Sequence, residues 1–221
     1  MLRLFSSLVS CPGCRQRPAG PAGICAGCLP LLFSLVDRPG LLALGRFEGP
    51  LKGVVTALKF SSASRLADPL GAELASQIRR RGWRPLVVTP VPLHPRRAAE
   101  RGYNQAGLLA ASCARQLGIP CLPLLERRRD TRQQARLPTV QRPGNSTGAF
   151  SVAAAAPKVL PRRVLLVDDV LTTGHTLLAC RRVLLAAGCE QVYSAAVAVA
   201  SPRRPQPHQE GEEATGLRVR T

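Results

Sequence analysis

Aromatic residues are scarce in this 221-residue sequence: one Trp, two Tyr and five Phe, 4% in all. The core must therefore be assembled from Leu, Val, Ala and Ile. A hydrophobic content of 45% is enough for that, and it excludes a wholly disordered chain. Acidic residues are also few, 13 against 31 Lys+Arg, and lysine occurs only at Lys52, Lys59 and Lys158. The net charge of +18 is therefore almost all arginine. Such a balance points to phosphate-bearing partners, although a GC-rich genome also favours Arg, Ala, Gly and Pro together. Long apolar runs are missing. Residues 29–36 are interrupted by Pro30 and residues 195–200 are too few, against the ~20 that a spanning helix needs, so no membrane insertion is expected. Residues 1–10 have too short an apolar part for a secretory signal, which makes a cytoplasmic protein with reduced thiols the expectation. Internal repeats are absent too.

Half of the eight cysteines are patterned: Cys11-Pro-Gly-Cys14, ten residues, then Cys25-Ala-Gly-Cys28. Each CxxC turn can aim two thiolates at one centre, and two turns complete the four-sulfur tetrahedron that zinc prefers. A redox CxxC sits at a helix start, and Pro12, Pro18, Pro21 and Pro30 argue against a helix here. Two disulfides are the other alternative. Four thiolates leave no open coordination position, so the expected Zn²⁺ is structural, and its loss should loosen residues 1–35 while the rest stays folded. Cys113 and Cys180 lie among Ala and Leu and read as buried thiols.

Beyond the cysteines, short apolar strands alternate with helices. Strands are expected at residues 41–47, 86–91, 121–125, 164–168 and 192–200. Helices are expected from Pro50 to Lys59, over 66–80 with Leu66, Leu70, Leu74 and Ile78 in register, from an Asn104 cap to Leu117, and over 175–187. That alternation implies an α/β fold, a parallel sheet flanked by helices. The expected division is a zinc knuckle at 1–35, the α/β domain at 36–200 and a disordered, proline-bearing tail at 201–221. Residues 135–148 read as mostly loop.

The most informative segment is Val164-Leu-Leu-Val-Asp-Asp-Val-Leu-Thr-Thr-Gly-His-Thr176. A buried strand ends in two carboxylates, and a turn of small residues then opens a helix. Amides of Thr173, Gly174, His175 and Thr176, with a helix dipole behind them, can hold a phosphate monoester, and the hydroxyls of Thr172, Thr173 and Thr176 add donors. Carboxylates beside an anion site repel phosphate unless they serve another purpose. Asp168 and Asp169 can accept hydrogen bonds from a ribose diol or orient a hydrated Mg²⁺. A helix cap alone explains one Thr and one Asp, not two Asp and three Thr. The segment resembles the phosphoribosyl-pyrophosphate (PRPP) signature of type I phosphoribosyltransferases, which implies ribose at Asp168 and Asp169 and the 5-phosphate at residues 172–176.

A second dense segment runs from Thr89 through His94, Arg96, Arg97, Glu100, Arg101, Tyr103 and Asn104 to Gln105, on a proline-stiffened loop after a strand. Guanidinium forks there suit pyrophosphate or a nucleic-acid backbone. A polar stretch with Arg129, Gln134 and Arg142 follows, and Lys59-Phe60 forms a basic–aromatic pair after the first helix. Residues 79–142 hold fourteen arginines against three acids (Glu100, Glu126, Asp130), a net +11. In order along the chain, the cysteine knuckle and these segments resemble the ComF family. That resemblance implies a type I phosphoribosyltransferase-like fold with an amino-terminal zinc element, in a family whose founding members serve DNA uptake in transformable bacteria.

Two functions follow from the resemblance. One is an accessory protein that binds a PRPP-like ligand and single-stranded DNA, with a DNA-uptake helicase as a further partner and DNA tracking residues 96–101 and 127–142. The other is an active PRPP-dependent phosphoribosyltransferase of nucleotide metabolism, with Asp168 and Asp169 as the catalytic carboxylates. On either reading, Lys59, Arg96, Arg97, Arg101, Arg129, Gln134 and Arg142 face pyrophosphate or nucleic acid. No residue set identifies an acceptor base.

Overall fold

The computed structural model describes residues 10–59, 61–93, 98–100, 102–128 and 148–200. Among these residues, seven strands and four longer helices run in the order β1 (Val36–Arg38), β2 (Leu41–Arg46), α1 (Gly49–Ala57), α2 (Ala67–Arg80), β3 (Val87–Pro90), α3 (Gln105–Leu117), β4 (Leu125–Arg127), β5 (Phe150–Val152), β6 (Arg163–Leu171), α4 (His175–Ala186) and β7 (Gln191–Val199). The main sheet has the order β1-β2-β7-β6-β3, and β4 and β5 form a separate antiparallel pair. β2, β7, β6 and β3 are parallel. β1 is the exception to the expected parallel sheet, because a tight turn at Pro39-Gly40 folds it back antiparallel on β2.

β6 owes its central place to an uninterrupted apolar run. Val164, Leu165, Leu166 and Val167 are all fully buried, as a parallel strand covered on both faces requires. On one face lie α1, α2 and α3. The i, i+4 series Leu66, Leu70, Leu74 and Ile78 is buried there, and α2 crosses α3 closely enough that a Cβ on Gly71 would meet Ser112. α4 and the β4–β5 pair cover the other face with a second cluster that includes Phe150, Leu177, Cys180 and Leu184. Asn104 caps α3 as expected, its Oδ1 accepting from the Ala106 amide at 3.1 Å, and Gly118 at φ 72° ends the helix.

The expected strand at 121–125 is reduced to one parallel bridge from Cys121 to Val88. The chain leaves the sheet there because the buried Thr89 Oγ1 accepts from the Leu124 amide at 3.1 Å, and pairing resumes at β4 with β5. Cys113 and Cys180 are fully buried, as read from sequence, and burial pushes both thiols up to about 12. No helix among the described residues is long and apolar enough to cross a membrane. The tail at 201–221 and most of the expected loop at 135–148 lie outside the described residues.

Candidate functional site

Parallel strands leave their loops at one end of the sheet, and a cleft of about 370 Å³ opens there. β6 carries Asp168 and Asp169 into its floor, and the following turn brings Thr172, Gly174 and Thr176 to the wall. Gly174 sits at φ 78°, ψ −8°, a left-handed conformation that reverses the chain from β6 into α4. The amino terminus of α3 adds Asn104, Gln105 and Ala106, so two helix amino-terminal ends border the same cavity. Asn104 also ties the wall together, its Nδ2 donating to the Val91 carbonyl at 3.0 Å.

Two cations line the same cleft. Lys59 lines the cleft just past α1, where the Tyr103 hydroxyl fixes the chain by donating to the Leu58 carbonyl at 2.7 Å. Arg127, at the end of β4, lines it too and lies over the Phe150 ring, 5.3 Å from the centroid. Burial, and then the negative charge of Asp169, holds the Asp168 carboxyl well above the usual carboxylate range. The Asp169 amide, which donates to Asp168 Oδ1 at 2.8 Å, and the Arg127 charge only partly offset this.

Of the residues expected at the phosphate turn, Thr172, Gly174 and Thr176 line the cleft with Asp168 and Asp169. Thr173 turns instead to a neighbouring groove of about 320 Å³ that Arg38 and Arg181 border, and its Oγ1 lies 3.2 Å from Nδ1 of the exposed His175. Arg96, Arg97, Arg101, Arg129, Gln134 and Arg142 lie outside the described residues, as do His94 and Phe60. Sequence reasoning assigns Arg127 only to a broad basic surface. Arg128 and Arg129 follow it directly, and only the pairing of β4 with β5 singles it out for the cleft.

At the amino-terminal end, Cys11, Cys14, Cys25 and Cys28 come together, with all four Sγ atoms within 4.8 Å of one another. Cys14 and Cys25 Sγ are 3.8 Å apart, matching the edge of a tetrahedron with Zn–S bonds of ~2.3 Å. The Cys25 amide points at Cys11 Sγ from 3.3 Å. Burial opposes ionisation of Cys11, but the amides of Cys25, Cys14 and Gly13 outweigh it and bring the thiol down to about 6. Burial and the neighbouring sulfurs push Cys28 up to about 12. Soft donors, number and spacing all suit a structural metal.

Comparison with known proteins agrees with this architecture. Residues 68–213 match the phosphoribosyl transferase domain. The chain is 34% identical over 158 residues to Competence protein F of Haemophilus influenzae, covering 69% of each chain. It is 30% identical over 192 residues to DNA utilization protein YhgH of Salmonella typhi, covering 82% of this chain and 80% of that one. Among solved structures, adenine phosphoribosyl transferase from Trypanosoma brucei superposes with a TM-score of 0.46 at 14% identity, over 86% of this chain and 96% of that one, too distant for any ligand to be transferred. On the matched domain and these relatives, the chain belongs to the ComF family of proteins with a phosphoribosyltransferase-type fold.

Proposed function

We propose that this chain is an accessory protein of DNA uptake or DNA utilisation that binds a PRPP-like ligand in the cleft. The observation that carries the reading is the lining of one cavity by Asp168, Asp169, Thr172, Gly174 and Thr176 together with Lys59 and Arg127. The turn at 172–176 takes the 5-phosphate through amides, hydroxyls and the α4 dipole. Asp168 and Asp169 accept from the ribose diol, and the pair suits a hydrated Mg²⁺ that would accompany the pyrophosphate. Lys59 and Arg127 neutralise that pyrophosphate, joined in this reading by Arg96, Arg97, Arg101, Arg129, Gln134 and Arg142. Single-stranded DNA would follow the same arginine-rich loops, held mainly by charge. The names of the relatives support the DNA role.

Cys11, Cys14, Cys25 and Cys28 are proposed to hold one Zn²⁺ with a purely structural role, since four thiolates leave no position for substrate. Calorimetry of the full chain against PRPP and against a short single-stranded oligonucleotide, each with and without Mg²⁺, tests the function. Saturable PRPP binding that is lost in Asp168→Asn/Asp169→Asn is expected. Absence of binding at millimolar PRPP in both conditions would sink the cleft assignment. Consumption of PRPP during the titration would make the protein a transferase rather than an accessory.

A further inference from the structure

The end of the sheet opposite the cleft carries a second cluster, built from residues that the cleft does not use. α2 finishes in Arg79-Arg80-Arg81, Gly82 turns the chain at φ 66°, and Trp83-Arg84 follows. Leu86, 45% exposed, leads into β3 and its amide donates to the Arg163 carbonyl at 2.9 Å, so the amino end of β6 lies alongside. Trp83 is the only tryptophan in the sequence. Its ring stacks on Tyr193, with centroids 4.7 Å apart and planes at 19°, and the residue is half-buried against the core.

Arginines at a helix end have an ordinary explanation, because cations there complement the macrodipole. It accounts for Arg79, which donates to the Gln116 carbonyl, and for Arg81, paired with Asp37 at 2.8 Å. Arg162 is likewise taken by Glu190. Arg84 and Arg163 lie beyond the helix, and with Arg80 they are exposed and have no acidic partner among the described residues. Arg84 donates to the Trp83 carbonyl at 3.3 Å, which keeps its guanidinium beside the ring. Three guanidinium groups with no acidic partner among the described residues, set around an aromatic pair, make the combination that single-stranded nucleic acid needs: cations for phosphates and a ring for a base. A protein with so few aromatics has set two of its largest against each other at this spot.

We propose that the Arg80–Trp83–Arg84–Arg163 surface is a binding site for single-stranded nucleic acid, separate from the cleft. The nine residues of β6 separate the two ends of the sheet by roughly 26 Å at ~3.3 Å per residue. A strand bound here therefore leaves the cleft free, and its binding does not depend on what the cleft holds.

The single tryptophan makes the test direct. Oligo(dT) is titrated into the full-length protein while Trp83 emission and the anisotropy of a labelled oligonucleotide are followed, with oligo(U) as a second arm. Quenching is expected to track binding and to be unaffected by saturating PRPP. In the surface variant Arg80→Gln/Arg84→Gln/Arg163→Gln, the binding read by Trp83 quenching should be at least tenfold weaker at low salt, whatever the loops beside the cleft still hold. Its log–log salt slope should be shallower by about 2, near 0.7 for each lost contact to a single strand. A parent that shows no quenching overturns the proposal, as does a triple variant that binds like the parent. Quenching by anionic phospholipid vesicles but not by oligonucleotide also overturns it, by making the surface a membrane contact. PRPP calorimetry on the same triple variant separates this outcome from failure of the cleft reading, since cleft binding should be unchanged.

Discussion

At the scale of single residues, Gly174 and Asp168 show what the turn demands. A Cβ on Gly174 would meet only Leu171 Cδ1 at 3.7 Å, so space within the protein does not forbid a side chain. Its left-handed backbone does: a β-branched residue held there costs about 1–3 kcal/mol. Gly174→Val should therefore reshape the turn and abolish PRPP binding in calorimetry, while far-UV circular dichroism shows the helices intact. Asp168 is a stability cost of the opposite kind. An acid whose pKa rises on folding takes up a proton as the chain folds. Stability is thus greatest below the ordinary value of about 3.9 and falls as pH climbs from there to the raised one. Asp168→Asn should flatten that decline and raise the Tm at neutral pH by about 2–4 °C, as thermal melts across pH would record, while weakening the ligand. Both residues could be read from sequence because strand, carboxylates and turn are contiguous. Arg127 could not, because its place depends on β5 returning from beyond residue 148.

Elements were legible in proportion to their length and burial. The parallel strands announced themselves as apolar runs, and α2 by its i, i+4 leucines, since both patterns persist over several residues. β1, β4 and β5 have three residues each, too few to show alternation, and β4–β5 pairing spans a long separation. Close approach between elements is equally silent in sequence. Gly53 in α1 reads as a helix weakness whose replacement by Ala would gain about 1 kcal/mol. Its added Cβ, however, would collide with the Pro12 carbonyl oxygen and press on Gly13 Cα, which are backbone atoms of the knuckle. Gly53→Ala should instead destabilise by about 1–3 kcal/mol, the usual cost of overpacking. Gly107→Ala in α3, where the Cβ would rest 3.4 Å from Asn104, serves as the control and should be neutral or stabilising. Urea titrations should show a loss of stability for Gly53→Ala and none for Gly107→Ala. Two losses of similar size would show that α1 does not seat the knuckle this tightly.

Across the whole molecule, the sheet divides the hydrophobic core in two, and this sets how far loss of metal would spread. Cys11, Ile24, Cys25, Cys28 and Leu32 belong to the cluster that also holds Leu51, Val54, Leu66 and Leu70, so the knuckle packs into the three-helix face. Phe150, Leu177, Cys180 and Leu184 form the other cluster, beneath α4. Read from sequence, loss of the metal would loosen residues 1–35 and leave the α/β core folded. The shared core argues for a wider effect on one face. Unligated, the four sulfurs must share protons, because burial and the neighbouring sulfurs keep Cys28 protonated while Cys11 ionises readily. A zinc ion would replace those protons and bind the two CxxC turns together. Chelator treatment, or Cys11→Ser/Cys14→Ser, should therefore remove one zinc per chain by elemental analysis and lower the Tm. In hydrogen exchange, amides of α1 and the start of α2 should lose protection together with the knuckle, while α4 and the core of β6 keep theirs. Protection lost only before residue 36 would restore the reading from sequence. Uniform loss across both faces would mean that the two clusters unfold as one unit.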